Sequence, residues 1–359
     1  MSAPIPASAW NSTEQVAVRV LIVDDSVVVR TVLERIIAAS PHYQVAHKTS
    51  NAAQALDFLA HERVDIILLD VEMPGQSGLV ALPAILKAGC AAKIIILSAS
   101  CEEGSAAAVE ALALGASDIF SKPGRGSFGD QFSDELLVRL NRIAFPSAAT
   151  PIDSPPIRLR PLASGSVLGC LGIGASTGGI HALGQLFAGL GEPLGVPILL
   201  TQHLPPSFIP FFATQLSRMT SLPVAVARQG EVLKADRIYV APGEANLECH
   251  RGRNGQVSVS LTTERAPSGS LPAVDPMFAA IARAYGSGAG AIVLTGMGRD
   301  GTAGGRKIIE EGGWVLAQSE DSSVVWGMPG SVARAGLVSA LLPPREIMGF
   351  VGRRVARAA

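Results

Sequence analysis

Two hydrophobic periods alternate along this chain, and the switches between them mark its elements. Short, nearly continuous apolar runs occur at Val18–Val23, Val64–Leu69, Lys93–Leu97, Val167–Leu171, Val196–Leu200 and Ala291–Leu294. Runs of this length, bounded by polar or glycine residues, predict strands buried on both faces. Between them, apolar residues fall at helical spacing over Val27–Ala39, Ala52–Ala60, Ala106–Leu114, Phe132–Ile143, Ile180–Leu190, Phe208–Met219, Met277–Tyr285 and Thr302–Glu310. Shorter strands are expected at Gln44–Ala46, Ile119–Phe120, Val224–Ala227, Arg237–Val240, Leu247–Cys249, Val257–Leu261 and Trp314–Gln318. Arg253-Asn254-Gly255 is a hairpin turn signal between two of these. A short helix should follow Met328-Pro329-Gly330, with a tail from Leu337. Strands alternating with helices predict an α/β protein with parallel sheets covered on both faces.

The pattern breaks at Ala144–Ser166, where five prolines stand among serine, alanine and threonine. Such a stretch builds no core and reads as a linker, with Arg158 and Arg160 in solvent. At 359 residues the chain has room for a domain on each side of it. The residues before Val16 are polar and proline-rich, a frayed tail with no basic start or apolar segment of a secretory signal. A net charge of −1 argues against binding nucleic acid through its phosphates. No apolar run approaches the ~18 residues of a membrane span. Cys90, Cys101, Cys170 and Cys249 are scattered, with no paired spacing, which suits reduced thiols in a cytoplasmic protein and no metal site built on cysteine.

In the first half, four expected strands end in polar residues: Asp24-Asp25, Asp70, Ser98 and Lys122. Ligands of open α/β sheets bind at the carboxyl ends of strands. Carboxylates gathered there repel one another unless a hard cation neutralises them, and oxygen ligands of this kind suit Mg²⁺. A lysine and a hydroxyl beside them suit a phosphoryl group. One such aspartate would read as a loop cap; the whole set does not. Val23-Asp24-Asp25-Ser26, Asp70-Val71-Glu72-Met73-Pro74-Gly75, Gly78 and Ser121-Lys122-Pro123 resemble a two-component receiver domain. That resemblance implies a flavodoxin-like fold with a five-stranded parallel sheet over residues 17–145. It implies phosphorylation of Asp70 by a histidine kinase, Mg²⁺ held by Asp24, Asp25 and Asp70, and phosphoryl contacts from Ser98 and Lys122. Ser98-Ala99-Ser100-Cys101 departs from the family's usual run.

The second half opens on Gly172-Ile173-Gly174-Ala175-Ser176-Thr177-Gly178-Gly179, between a strand pattern and a helix pattern. A serine on that turn stands above the sheet edge, and the helix start offers unpaired N–H groups to an oxyanion. Gly174-x-Ser176-x-Gly178 fits a nucleophile elbow, and the same glycines also fit the phosphate turn of a dinucleotide fold. That fold wants an acidic residue ending the next strand, where this chain has Gln202-His203. Ser176, His203 and Asp300 all follow expected strands. A hydroxyl nucleophile needs a base, and the base needs an acceptor to fix its tautomer. Asp300 is preferred over Asp236, Asp275 and Asp321 because Gly296 and Gly298 mark a tight loop after a buried strand. Alone, His203 reads as a packing residue and Asp300 as an N-cap for the helix near Thr302. His181 and His250 are weaker candidates.

Gly174–Gly179, Gln202-His203, Ala241-Pro242-Gly243, Val274-Asp275, Leu294–Gly301 and Trp326–Gly330 resemble the chemotaxis protein-glutamate methylesterases. In that family a receiver precedes the esterase. The resemblance implies a doubly wound α/β domain over residues 166–345, with a mostly parallel sheet and a β-hairpin, after a linker at 146–165. It implies hydrolysis of glutamate methyl esters on chemoreceptors, with deamidation of receptor glutamines as a further activity. Ser176, His203 and Asp300 would be catalytic, backbone amides of Thr177 and Met297 would hold the oxyanion, and no cofactor would serve the esterase. Asn246 departs from the family's usual histidine, at a position expected to alter substrate contacts. The short linker lets the receiver cover the esterase cleft, so that phosphorylation of Asp70 shifts the docking equilibrium. A phospho-regulated binding module with a non-catalytic second half is the reading from a different class.

Overall fold

The structure is a computed structural model that describes residues 17–98, 102–122, 129–145, 157–162 and 166–357. The expected tail at Met1–Gln15, the segment Ala99–Cys101, Pro123, and residues 146–156 and 163–165 of the linker lie outside it.

The first half forms β1 (Val18–Val23), α1 (Val27–Ala38), β2 (Tyr43–Thr49), α2 (Ala52–His61), β3 (Ile66–Asp70), α3 (Gly78–Ala88), β4 (Lys93–Ser98), α4 (Glu102–Leu114), β5 (Asp118–Ser121) and α5 (Asp130–Ala144). The sheet order is β2-β1-β3-β4-β5, parallel throughout. Ser26 and Asn51 cap α1 and α2 by accepting the amides of Val29 and Gln54. The sequence reading has no element between Gly75 and Lys93, where the structure has α3. Pro83 lies inside that helix and removes one of its hydrogen bonds. Burial of Ala81, Leu82 and Ile85 against the sheet, together with the Ser77 cap, outweighs that loss.

The second half forms β6 (Ser166–Leu168), β7 (Cys170–Ala175), α6 (Gly179–Ala188), β8 (Ile198–Gln202), α7 (Ile209–Met219), β9 (Val224–Val226), β10 (Ile238–Val240), β11 (Asn246–Arg251), β12 (Val257–Thr262), α8 (Val274–Tyr285), β13 (Ala289–Val293), α9 (Thr302–Glu310), β14 (Trp314–Gln318), α10 (Gly327–Arg334), β15 (Val338–Leu342), α11 (Pro344–Arg354) and β16 (Val355–Arg357). Seven strands form a parallel sheet in the order β15-β14-β13-β7-β8-β10-β9. From β7 the chain winds one way to β8, β10 and β9; from β13 it winds the other way. The switch point lies between β7 and β13, where open α/β sheets place their ligands. β11 and β12 make a separate antiparallel hairpin.

Two expectations change here. The apolar run Val167–Leu171 is split, because Gly169 turns its N–H to Gly288 O at 2.8 Å. β6 then pairs with β16, and only β7 enters the main sheet. The expected tail from Leu337 is a strand and a helix. β15 extends the sheet, and Ile347, Met348 and Val351 of α11 are buried where that helix packs on α6. Pro344 suits the first position of such a helix. Arg158 and Arg160 are exposed as expected, while the Arg160 amide donates to Val338 O at 2.8 Å.

The two halves share one buried apolar cluster. It contains Ile94, Val109 and Leu112 from the first and Leu183, Leu186 and Phe212 from the second. α4 lies against α6 and α7.

Candidate active site and its cover

The first sheet gathers the expected receiver residues at one rim. Asp24 follows β1, Asp70 ends β3, Ser98 ends β4 and Lys122 follows β5. Asp24, Asp70 and Ser98 are buried, while Asp25 is exposed. One oxygen from each of Asp24, Asp25 and Asp70 lies within 4.8 Å of the others. Lys122 Nζ bridges Asp24 Oδ2 at 2.8 Å and Asp70 Oδ2 at 2.7 Å. Asp70 Oδ1 accepts the Glu72 amide at 3.1 Å. Burial pushes the Asp70 carboxyl up to about 6, against the pull of Lys122 and with the Asp24 charge adding to the rise. A clustered, hard, partly desolvated carboxylate set of this kind fits a divalent cation, which would relieve the repulsion that one lysine only partly offsets.

The second sheet brings His203 and Asp300 together. His203 Nε2 and Asp300 Oδ2 lie 2.8 Å apart. Asp300 accepts three further hydrogen bonds from backbone N–H groups: Val274 on Oδ2 at 2.8 Å, and Asp275 and Gly301 on Oδ1 at 2.9 and 3.0 Å. Burial alone would raise its pKa. The His203 bond and charge and the α8 amides outweigh that, so the Asp300 carboxyl sits below the usual carboxylate range. Asp300 therefore caps the start of α8, not α9, whose own N-cap is Gly301 with no side-chain bond. The loop after β13 folds back toward α8 before α9 begins.

Ser176 lies one step beyond the last registered pair of β7 and β8, Ala175 and Gln202, and His203 lies at the same step on the neighbouring strand. The His203 amide donates to Ala175 O at 3.0 Å. Neighbouring parallel strands run about 4.8 Å apart, so the two side chains leave the rim as neighbours. Ser176 Oγ and His203 Nδ1 have no hydrogen-bond partner among the described residues, and Nδ1 is the ring nitrogen left for a hydroxyl proton. The backbone differs from the expected elbow at one point. Among the described residues the only non-glycines with positive φ are Cys90 and Asp236, so Ser176 carries no left-handed strain. Gly178, at φ 75°, makes the turn into α6 instead. Gly296 is the second position that needs glycine, since a Cβ there would lie 2.7 Å from Ser176 Cβ.

Two features hold the turn. The Ser176 amide donates to Thr295 O at 3.0 Å and Thr295 Oγ1 lies 3.0 Å from Thr177 O. Gln202 Nε2 donates to Ser176 O at 2.9 Å, while its buried Oε1 has no partner. The amides of Thr177 and Met297 have no acceptor among the described residues, and Gly296, beside Met297, is tied to Val325 and Met328 through backbone bonds of 3.0 and 2.8 Å. Asn246 is buried, its Oδ1 accepting the Ala273 amide at 2.8 Å and its Nδ2 donating to Glu264 O at 2.7 Å. It braces the entry to α8 from within the fold.

The first half sits over this rim. Gly178 N–H donates to Ser117 O at 2.9 Å, Thr177 Oγ1 lies 3.5 Å from Asp118 Oδ2, and the His181 ring Nδ1 lies 3.1 Å from Ala113 O. Arg139 pairs with Asp118 at 3.0 Å. Burial drives the Asp118 carboxyl up, with Arg139 opposing. Met297 packs on the cluster that holds Phe120 and Phe132. No local pattern marks Ser117 and Asp118, because their role arises only from the docking of two domains. Asp275, Thr295 and Gln202 lay within the quoted motifs, but the motif alone assigns them no contact.

A family model described as CheB methylesterase matches residues 171–351, and one described as response regulator receiver domain matches residues 20–127. The chain is 36% identical to the protein-glutamate methylesterase/protein-glutamine glutaminase of group 2 operon of Rhodospirillum centenum, over 95% of each chain. It is 38% identical to a protein-glutamate methylesterase/protein-glutamine glutaminase of a Nocardioides species, over 95% of this chain and 96% of that one. Among solved structures, the Thermotoga maritima CheB methylesterase catalytic domain is 35% identical, with a TM-score of 0.49, covering 53% of this chain and 98% of its own.

Proposed function

The chain belongs to the CheB methylesterase family, and on that premise we propose that it removes methyl groups from glutamate methyl esters of chemoreceptors, under control of its own receiver domain. Deamidation of receptor glutamines is the second activity of the same site. The observation that carries this reading is the His203–Asp300 bond at the switch point, with Ser176 one register step away.

Ser176 Oγ attacks the ester carbonyl carbon while His203 Nδ1 takes its proton. Asp300, held ionised by four donors, fixes the tautomer through Nε2 and stabilises the imidazolium. The carbonyl oxygen becomes an oxyanion at the Thr177 and Met297 amides, which removal studies in other enzymes value at about 3–4 kcal/mol per donor. His203 returns the proton to the departing methoxide, and methanol leaves. Water, activated by the same imidazole, then hydrolyses the glutamyl-Ser176 ester and restores the hydroxyl.

In the receiver, Asp70 accepts a phosphoryl group from a histidine kinase. Asp24, Asp25 and Asp70 would hold Mg²⁺, which would supply positive charge to the phosphoryl oxygens. Lys122 and Ser98 move to those oxygens. We assign the receiver to residues 17–145, the linker to 146–165 and the esterase to the chain from 166, a cytoplasmic arrangement. No helix among the described residues is long and apolar enough to cross a membrane. In the conformation described, Ser117 and Asp118 close the turn at Thr177–Gly178, and phosphorylation at Asp70 shifts the balance toward an uncovered site. The test is methanol release from methylated receptor membranes. Wild type should release it and Ser176→Ala should not; undiminished release by the variant removes Ser176 from the mechanism.

A further inference from the structure

Behind His203 and Asp300 stands a second carboxylate. Asp275 lies in the first turn of α8, and its Oδ1 accepts the Gly304 amide of α9 at 2.7 Å. Its own amide donates to Asp300 Oδ1. The two aspartates therefore cap each other's helices: Asp300, before α9, caps α8, and Asp275, on α8, caps α9. The fit is tight, since a Cβ on Gly304 would come within 2.5 Å of the Asp275 carbonyl.

We propose that Asp275 is a positioning residue of the esterase: its amide and its Gly304 bond fix Asp300, and its charge sets how strongly the Asp300–His203 pair takes the serine proton. This rests on the reading of Ser176, His203 and Asp300 given above. The surroundings of the carboxylate make its charge matter. The charged group that faces it is Asp300, from the loop before α9, which in turn holds His203 at the end of β8; the Gly304 and Gly301 amides also act on it. On β11, Glu248 pairs with Arg283 and Arg251 binds Ala284 O, both at the far end of α8. Burial first, and then the negative Asp300 beside it, push the Asp275 carboxyl up to about 6, against the Gly304 bond. Asp275 thus changes charge in the range where a histidine base works. Ionised, it favours the imidazolium on His203. Protonated, it withdraws that support and offers its O–H to Asp300, in competition with the imidazole.

The test is the pH profile of kcat/KM for methyl-ester hydrolysis by the full chain, in wild type, Asp275→Asn and Asp275→Glu. The wild-type acid limb should be steeper than a single ionisation, because turnover needs both an unprotonated base and an ionised Asp275. Asp275→Asn should reduce the limb to first order, move its midpoint to lower pH, and lower the plateau roughly three- to tenfold. Asp275→Glu should restore the steep limb. A variant with a lower plateau but the wild-type limb and midpoint would make Asp275 merely structural and overturn the proposal. If Asp275→Asn fails to fold, the His203 imidazole proton resonance of wild type decides: a second inflection near that of Asp275 is expected, and a single inflection overturns it. Loss of Ser176 labelling by a fluorophosphonate would instead strike at the triad, so the two failures are distinguishable.

Discussion

The two halves of this protein build their sites on the same backbone feature, the carboxyl rim of a parallel sheet at its switch point, and give aspartate opposite characters there. Asp70 is crowded by Asp24 and desolvated, with one lysine and one amide to answer its charge, and its carboxyl rises to about 6. Asp300 is also buried, yet three amides and His203 hold it below the usual range. Burial does not decide a carboxylate's character; the count of donors aimed at it does. A site short of donors gains from a cation or a phosphoryl group. A site saturated with donors stays a fixed anion and can hold an imidazole in one tautomer.

The sharpest way to break this contrast is to remove the charge at the saturated site. Asp300→Asn should cost roughly 10³–10⁴-fold in kcat for ester hydrolysis, since the wrong tautomer of His203 is then favoured. A loss under tenfold would mean that His203 does not depend on Asp300. At the unsaturated site, Asp70→Asn should abolish stimulation by a small phosphodonor while leaving the unstimulated rate. Chelating divalent cations should do the same to wild type. The stimulation at stake is on the order of 10-fold, within the ordinary range of coupling between sites. Equal stimulation of variant and wild type would separate Asp70 from control of the esterase.

Smaller effects test the contact between the halves. Asp118→Ala removes the carboxylate beside Thr177 and leaves the Ser117 bond. The unphosphorylated rate should rise about two- to fivefold, with the stimulated rate unchanged. A fall in the unstimulated rate would contradict a covering role for that contact. A separate effect is one of stability. A carboxyl whose folded pKa is raised destabilises the fold above that pKa and ceases to do so below its unfolded value of about 3.9. Asp70→Asn should therefore stabilise the metal-free protein by about 1–3 kcal/mol near pH 7.5, and the gain should shrink as pH falls from about 6 toward 4. Urea midpoints of both proteins across that range check the sign; a gain that grows as pH falls would reverse it.

Much of this is legible in the sequence. Strand runs such as Val64–Leu69 and Trp314–Gln318, and helices such as Thr302–Glu310, declare themselves because buried parallel strands are continuously apolar and helices repeat on one face. Rim residues declare themselves because polar side chains follow those runs. What stayed hidden depends on packing. α3 was masked by Gly78 and Pro83, local breakers that burial overrides. α11 is distinguished from a tail only by its packing on α6. Asp275 is set aside in the sequence for want of a tight loop beside it, and its contacts arise only where α8 and α9 meet. Asn246 departs from the family's usual residue, and its role as a buried brace at the start of α8 shows only in its packing. Ser117 and Asp118 belong to an interface, which no local pattern encodes.

Ser176 as a hydrolase nucleophile, kept under the receiver until Asp70 is phosphorylated, is open to one decisive measurement. It is labelling of the full chain by a fluorophosphonate, followed over time with and without phosphodonor and Mg²⁺. Peptide mapping should place the label on Ser176, slow in the resting protein and faster with phosphodonor in wild type but not in Asp70→Asn. Labelling elsewhere, or at Ser176 with the same rate in both states, would contradict it.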